Sequence, residues 1–145
     1  MPGAEPVVTQ APEETERLAA ELAEGLAPGD VVLLSGELGS GKTTFVRGAC
    51  RALGVAGRVT SPTFTLARRY EDGRAPVSHL DLHRLSGPSD DGGLLEEDLG
   101  QDRIVFVEWP EQGLGWIDPE RVAARVRFEH LADGRRAVTI ERRAP

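Results

Sequence analysis

Apolar positions along the chain follow two periods and two unbroken runs. From Pro12 they recur every three or four residues, at Leu18, Ala19, Leu22, Ala23 and Leu26, with Glu13 and Glu14 in the first turn. That period predicts a helix that stops near Gly25 and packs on a sheet. Val31–Leu34 and Ile104–Val107 are continuous apolar runs, the pattern of central strands buried on both faces. Between them, Phe45, Val46, Ala49 and Leu53 give the inner face of a second helix, Lys42 to Leu53, ended by Gly54. Thr63–Tyr70 is rich in β-branched and aromatic residues and predicts a strand, turned by Asp72-Gly73 into a partner over Val77–Leu82.

The remaining stretches are punctuated by turn residues. Residues 1–10 form a loose or edge-paired lead-in, and Pro28-Gly29-Asp30 turns into the first core strand. Residues 55–62 connect, 88–93 loop, Leu94–Leu99 is a short helix at most, and 110–121 are mostly loop. Two strands close the chain, Ala123–His130 and Arg136–Glu141, joined through Ala132-Asp133-Gly134. The expected fold class is α/β, a P-loop NTPase-like three-layer sandwich whose central, mostly parallel sheet is extended by antiparallel strands. One domain, 1–145, is expected, without repeats or linkers.

The first apolar run leads directly into Gly36-Glu-Leu-Gly-Ser-Gly41-Lys42-Thr43, which fits G-x-x-x-x-G-K-[ST] at every fixed position. Glycines let consecutive backbone N–H groups curl around phosphate oxygens, the lysine reaches the β- and γ-phosphates, and the threonine hydroxyl sits on Mg²⁺. The helix that follows turns its positive end to the same anion. A strand before and a helix after set the stretch apart from a chance glycine-rich turn. The candidate nucleotide contacts are therefore Glu37, Leu38, Gly39, Ser40, Gly41, Lys42, Thr43 and Thr44.

Composition sharpens this. At 39% apolar and 28% charged residues the 145-residue chain is an ordinary folded protein, without a run of membrane-spanning length. The N-terminus, MPGAEPVVTQAPEE, lacks a basic start and an apolar core, so no secretory signal is expected. The single cysteine, Cys50, makes no internal disulfide and falls where a small buried thiol is expected. These features point to the cytoplasm. A net charge of −7 makes the chain a poor candidate to hold nucleic acid by itself, though not beside a partner that does. Of its basic residues sixteen are Arg and one is Lys, and that one is Lys42.

Hydrolysis of a nucleotide needs an acid for Mg²⁺ and a group to orient water, at the carboxyl ends of strands beside the loop. Two strand-end acids qualify: Asp81 in HLDLHR, and Glu108 in IVFVEWPE, which has the Walker B form of four apolar residues and an acid. Solvated strand ends are the bland alternative for each. His79, Asp81 and His83 alternate on one strand face, but residues four apart on a strand lie about 13 Å from one another, too far to share one Zn²⁺. One of the histidines lies near the nucleotide or bonds structurally. Thr63 of the SPTF stretch either meets the γ-phosphate or Mg²⁺ or belongs to a Ser-Pro turn. Trp109 either covers the nucleotide or is ordinary core. Arg84 is a candidate phosphate or carboxylate partner, with a solvated arginine as the default. The chain has no Asn and no second Lys, so the guanine-reading N-K-x-D is absent. Asp90–Gly93 spells D-x-x-G but follows no buried strand, so ATP is preferred.

Four blocks together, PGDVVLLSGELGSGKTTFVRG (Pro28–Gly48), VTSPTFTL (Val59–Leu66), HLDLHRL (His79–Leu85) and VEWPE (Val107–Glu111), resemble the TsaE (YjeE) family of small bacterial P-loop ATPases. The resemblance covers nearly the whole chain and is weakest before Pro12 and after Ile117. It departs at His83, where the family usually has Tyr. The resemblance implies an ATPase that uses ATP and Mg²⁺ while engaging a heterodimer of TsaB and TsaD, which forms threonylcarbamoyladenosine next to the tRNA anticodon. It implies tRNA contact only through that complex, with no membrane and no DNA as partners. By motif match Thr43, Asp81 and Glu108 would serve the metal, Lys42, Asp81 and Glu108 the chemistry, and Trp109 would lie at the site. Two rivals stay open: a small-molecule kinase, whose only lid candidate, Glu111–Arg121, has one Arg, and a nucleotide-dependent switch without significant catalysis.

Overall fold

A computed structural model of the protein describes residues 5–37, 41–60, 67–82, 96–112, 115 and 117–143. Among these the chain forms β1 (Val7–Thr9), α1 (Pro12–Ala23), β2 (Val31–Gly36), α2 (Lys42–Ala52), β3 (Ala67–Tyr70), β4 (Val77–Asp81), β5 (Ile104–Glu108), β6 (Val122–His130) and β7 (Arg136–Arg142). The strands form one sheet in the order β1-β7-β6-β2-β5-β4-β3. Strands β6, β2, β5 and β4 run parallel, and β1, β7 and β3 extend the sheet antiparallel at its two sides.

The two apolar runs are the centre of this sheet, β2 and β5, and their side chains alternate between two cores. Val32, Leu34, Ile104 and Phe106 face α2, where Phe45 meets Phe128 edge to face with ring centroids 5.7 Å apart. Val31, Leu33, Val105 and Val107 face the opposite way, where Ile117 and Leu99 cover them from turns. Phe45 and Phe106 are fully buried, and each contributes about 1.5–3 kcal/mol by leaving water. Three layers result: the two helices, the sheet, and a thinner cover of turns.

Helix α1 begins at a proline, and the Glu14 carboxylate accepts from the Ala11 N–H at 3.0 Å, satisfying a free donor before the first turn. It ends at Ala23, two residues before Gly25. The expectation that it lies on the sheet is refined: α1 packs chiefly against α2. Gly48 makes this possible, because a Cβ there would stand 2.5 Å from the Cα and the carbonyl oxygen of Glu16.

The β3–β4 hairpin forms as expected, but Tyr70 pairs with Val77, so six residues connect the strands instead of the two-residue Asp72-Gly73 turn. The longer connection is tied to α1 and α2. The Arg74 N–H donates to Leu53 O at 2.7 Å, its guanidinium to Ala23 O at 3.0 Å, and Asp72 accepts from Ala56 N–H at 3.0 Å. The β6–β7 hairpin turns through Gly134, as the sequence predicts. Of the short helix expected at Leu94–Leu99, residues 96–99 form turns. The first half of the strand expected over Thr63–Tyr70 lies outside the described residues. No helix among the described residues is long and apolar enough to cross a membrane.

Cys50 is fully buried, and burial, with Asp72 nearby, pushes its thiol up to about 12. The folded protein is therefore expected to react with a thiol reagent at pH 8 only through unfolding, with full reaction in denaturant; rapid labelling of the native protein contradicts this burial. At Gly48, alanine in mid-helix ordinarily stabilises by up to about 1 kcal/mol. Here Gly48→Ala is expected to destabilise by about 1–3 kcal/mol by overpacking, read as a lower urea midpoint. A raised midpoint contradicts the close α1–α2 approach.

Candidate nucleotide site

The site forms where the parallel strands end. Leu34 of β2 stands opposite Glu108 of β5, and Glu108 opposite Asp81 of β4. The two strand-end acids expected from the sequence therefore lie side by side, Glu108 one strand and Asp81 two strands from the end of β2. Backbone bonds lock this level: Trp109 N–H donates to Leu34 O at 3.1 Å, and Leu82 N–H to Glu108 O at 3.0 Å.

Helix α2 brings in the loop residues. Gly41, its N-cap, has φ +111°, a left-handed conformation that disfavours a side chain. The Phe128 ring and the Arg136 stem flank it, 3.7 and 3.4 Å from where a Cβ would stand. Lys42 is buried, and its ammonium donates to the carbonyls of Gly36 at 2.5 Å and Glu37 at 3.0 Å. It also lies 4.5 Å from the centroid of the Trp109 ring. Burial lowers the Lys42 pKa, opposed by the carboxylates of Glu108, Asp81 and Glu111, so three acids share its field. Glu37 is exposed, and Thr44 is half-buried in the first turn of α2.

Glu108 is the centre of the polar contacts. It is buried, and its Oε2 accepts from the Thr43 hydroxyl at 3.3 Å and bonds His79 Nε2. Trp109 is half-buried and has φ +57°, making it the one non-glycine residue with positive φ among those described. Strain of this kind costs of order 1–3 kcal/mol and concentrates at functional sites. The ring lies beside the Lys42 ammonium.

The donors suit a hard divalent cation. The Thr43 hydroxyl donates to Glu108 at 3.3 Å, Asp81 is next to Glu108 in register, and hydroxyl and carboxylate oxygens are the donors Mg²⁺ takes. Among the described residues no cluster of three His, Cys, Asp or Glu forms a cage of its own.

Leu38, Gly39, Ser40, Thr63, His83 and Arg84 lie outside the described residues. The structure brings together Lys42, Thr43, Asp81, Glu108 and Trp109. It adds Glu111, Arg136 and His79, of which the sequence singled out only His79, as one of two histidines near the nucleotide or bonded structurally. The alternation in HLDL placed His79 and Asp81 on one face, a signal for the first contact. Arg136 had none, because it arrives from a distant strand.

Known proteins resemble this chain over most of its length. A family model described as threonylcarbamoyl adenosine biosynthesis protein TsaE matches residues 9–138. A tRNA threonylcarbamoyladenosine biosynthesis protein TsaE of Bacillus subtilis is 39% identical over 129 residues, covering 89% of this chain and 80% of that protein. One from Streptomyces coelicolor is 43% identical, covering 85% and 86%. The crystal structure of Bacillus subtilis YdiB superposes with a TM-score of 0.77 at 34% identity, covering 93% of this chain and 82% of that one.

Proposed function

The chain belongs to the TsaE family, and on that premise we propose that it binds ATP with Mg²⁺ and hydrolyses it. In this reading it serves tRNA threonylcarbamoyladenosine formation as the ATPase that supports turnover of a TsaB–TsaD heterodimer, meeting tRNA through that complex. The family is one of tRNA threonylcarbamoyladenosine biosynthesis; the ATPase role and the two partners are the proposal.

One observation carries the reading: Lys42, Thr43, Glu108 and Asp81 converge at one level of the sheet, with Thr43 and Glu108 already in contact. Lys42 exchanges its carbonyl partners for β- and γ-phosphate oxygens. Thr43 and Asp81 would hold the metal, and Glu108 adjoins them. Mg²⁺ supplies neutralisation of phosphate charge. Glu108 orients the attacking water and takes its proton as the Pγ–O bond to ADP breaks, leaving ADP and phosphate. Trp109 closes one side of the Lys42 ammonium against water.

The small-molecule kinase is disfavoured by Arg121, the one arginine of its lid candidate. Its guanidinium is spent on the carbonyls of Gly29 at 2.7 Å, Gly100 at 3.1 Å, and Leu99. An arginine so tied does not reach a transferred phosphate.

Glu108→Gln is expected to retain ATP binding and lose at least about 100-fold in hydrolysis, the usual scale of a lost general base. Unchanged hydrolysis removes Glu108 from the chemistry and favours the switch. Hydrolysis by the parent protein is expected to rise on adding purified TsaB, TsaD and tRNA. A phosphorylated small molecule in place of free phosphate favours the kinase.

A further inference from the structure

His79 is fully buried in β4, on the sheet face that also carries Val77, Ile104 and Phe106. An imidazole among such neighbours costs free energy unless its polar atoms are bonded, and a leucine would fill the same space without that cost. Among the described residues its Nδ1 has no hydrogen-bond partner, and its Nε2 has one, Glu108 Oε2. Burial also obliges the Glu108 carboxylate to find donors, and two converge on that oxygen, the Thr43 hydroxyl and His79.

The two donors differ in what else they would do. In the function proposed above the Thr43 hydroxyl would also serve the metal through its oxygen, whereas His79 has no second role there. His79 is fully buried on β4, a strand paired on both sides, and Glu108 is its one side-chain partner among the described residues. We propose that His79 is the positioning residue of this site: its Nε2–H holds Glu108 Oε2 through the nucleotide cycle and leaves the other carboxylate oxygen for the water. The inference rests on the catalytic reading of Glu108. The bond itself is open to measurement apart from catalysis.

Two measurements test it. In long-range ¹H–¹⁵N spectra of the nucleotide-free protein, His79 is expected as the tautomer protonated on Nε2, with its signals shifted by Glu108→Gln. A proton on Nδ1, or signals indifferent to Glu108→Gln, overturns the bond. In steady-state kinetics His79→Leu is expected to lower kcat by about 10–100-fold, the usual cost of losing such a supporting contact, with KM and thermal midpoint little changed. His79→Gln, whose amide reaches a similar position, is expected to recover most of kcat. In a Glu108→Gln background, His79→Leu is expected to add little, because the two act as a unit. Equal impairment of the Leu and Gln variants, or a full additive loss in that background, overturns the positioning role. If Glu108→Gln alone leaves hydrolysis intact, the catalytic reading fails and the positioning role with it, whatever the spectra show of the bond.

Discussion

Parallel pairing of β2, β5 and β4 ends these strands at one level, and the site depends on that. Leu34, Glu108 and Asp81 stand in a row because parallel register fixes them. A one-residue slip of β5 would turn Glu108 to the opposite face and bury Val107 against α2. The register is held by apolar burial on both faces of β2 and β5, and by the bonds from Trp109 to Leu34 and from Leu82 to Glu108. Hydrophobic burial thus places the carboxylates, and Lys42 and Thr43 stand beside them at the start of α2.

Glu108 shows how this placement becomes chemistry. A carboxylate at a strand end is usually solvated, but here it is only 3% exposed and is held by Thr43 and His79. Nearby, Lys42 is buried against its own loop carbonyls and the Trp109 ring. The site holds opposite charges close together in a poorly hydrated place, where each acts strongly on a bound phosphate. The left-handed Trp109 is the local cost of seating an aromatic ring over that ammonium.

Much of this was legible in the sequence for physical reasons. Unbroken apolar runs can only be satisfied by strands covered on both sides, so β2 and β5 were readable as the sheet's centre. The place of Lys42 and Thr43 at the start of α2, beside the strand ends, was readable because the G-x-x-x-x-G-K-[ST] pattern stands between a strand and a helix. Asp81 and Glu108 were readable as strand ends with acids. Other features rest on partners far apart in the chain. The seat of α1 on α2 depends on Gly48 meeting Glu16, and the six-residue hairpin on Arg74 reaching the end of α1. The bond from His79 to Glu108 spans two strands, and periodicity reports a face without reporting the neighbour across it. Arg136 reaches Gly41 through the β6–β7 hairpin, beyond any local signal.

The proposed function requires Lys42 and its loop to hold a nucleoside triphosphate. Calorimetric titration of ATP with Mg²⁺ into the parent protein and into Lys42→Ala tests this directly. One molecule of ATP is expected to bind per chain. The variant is expected to lose about 10–100-fold in affinity, the equivalent of a charge-assisted bond of about 1.5–3 kcal/mol. No binding to the parent, or equal binding to both proteins, would contradict the assignment of this loop as the nucleotide site.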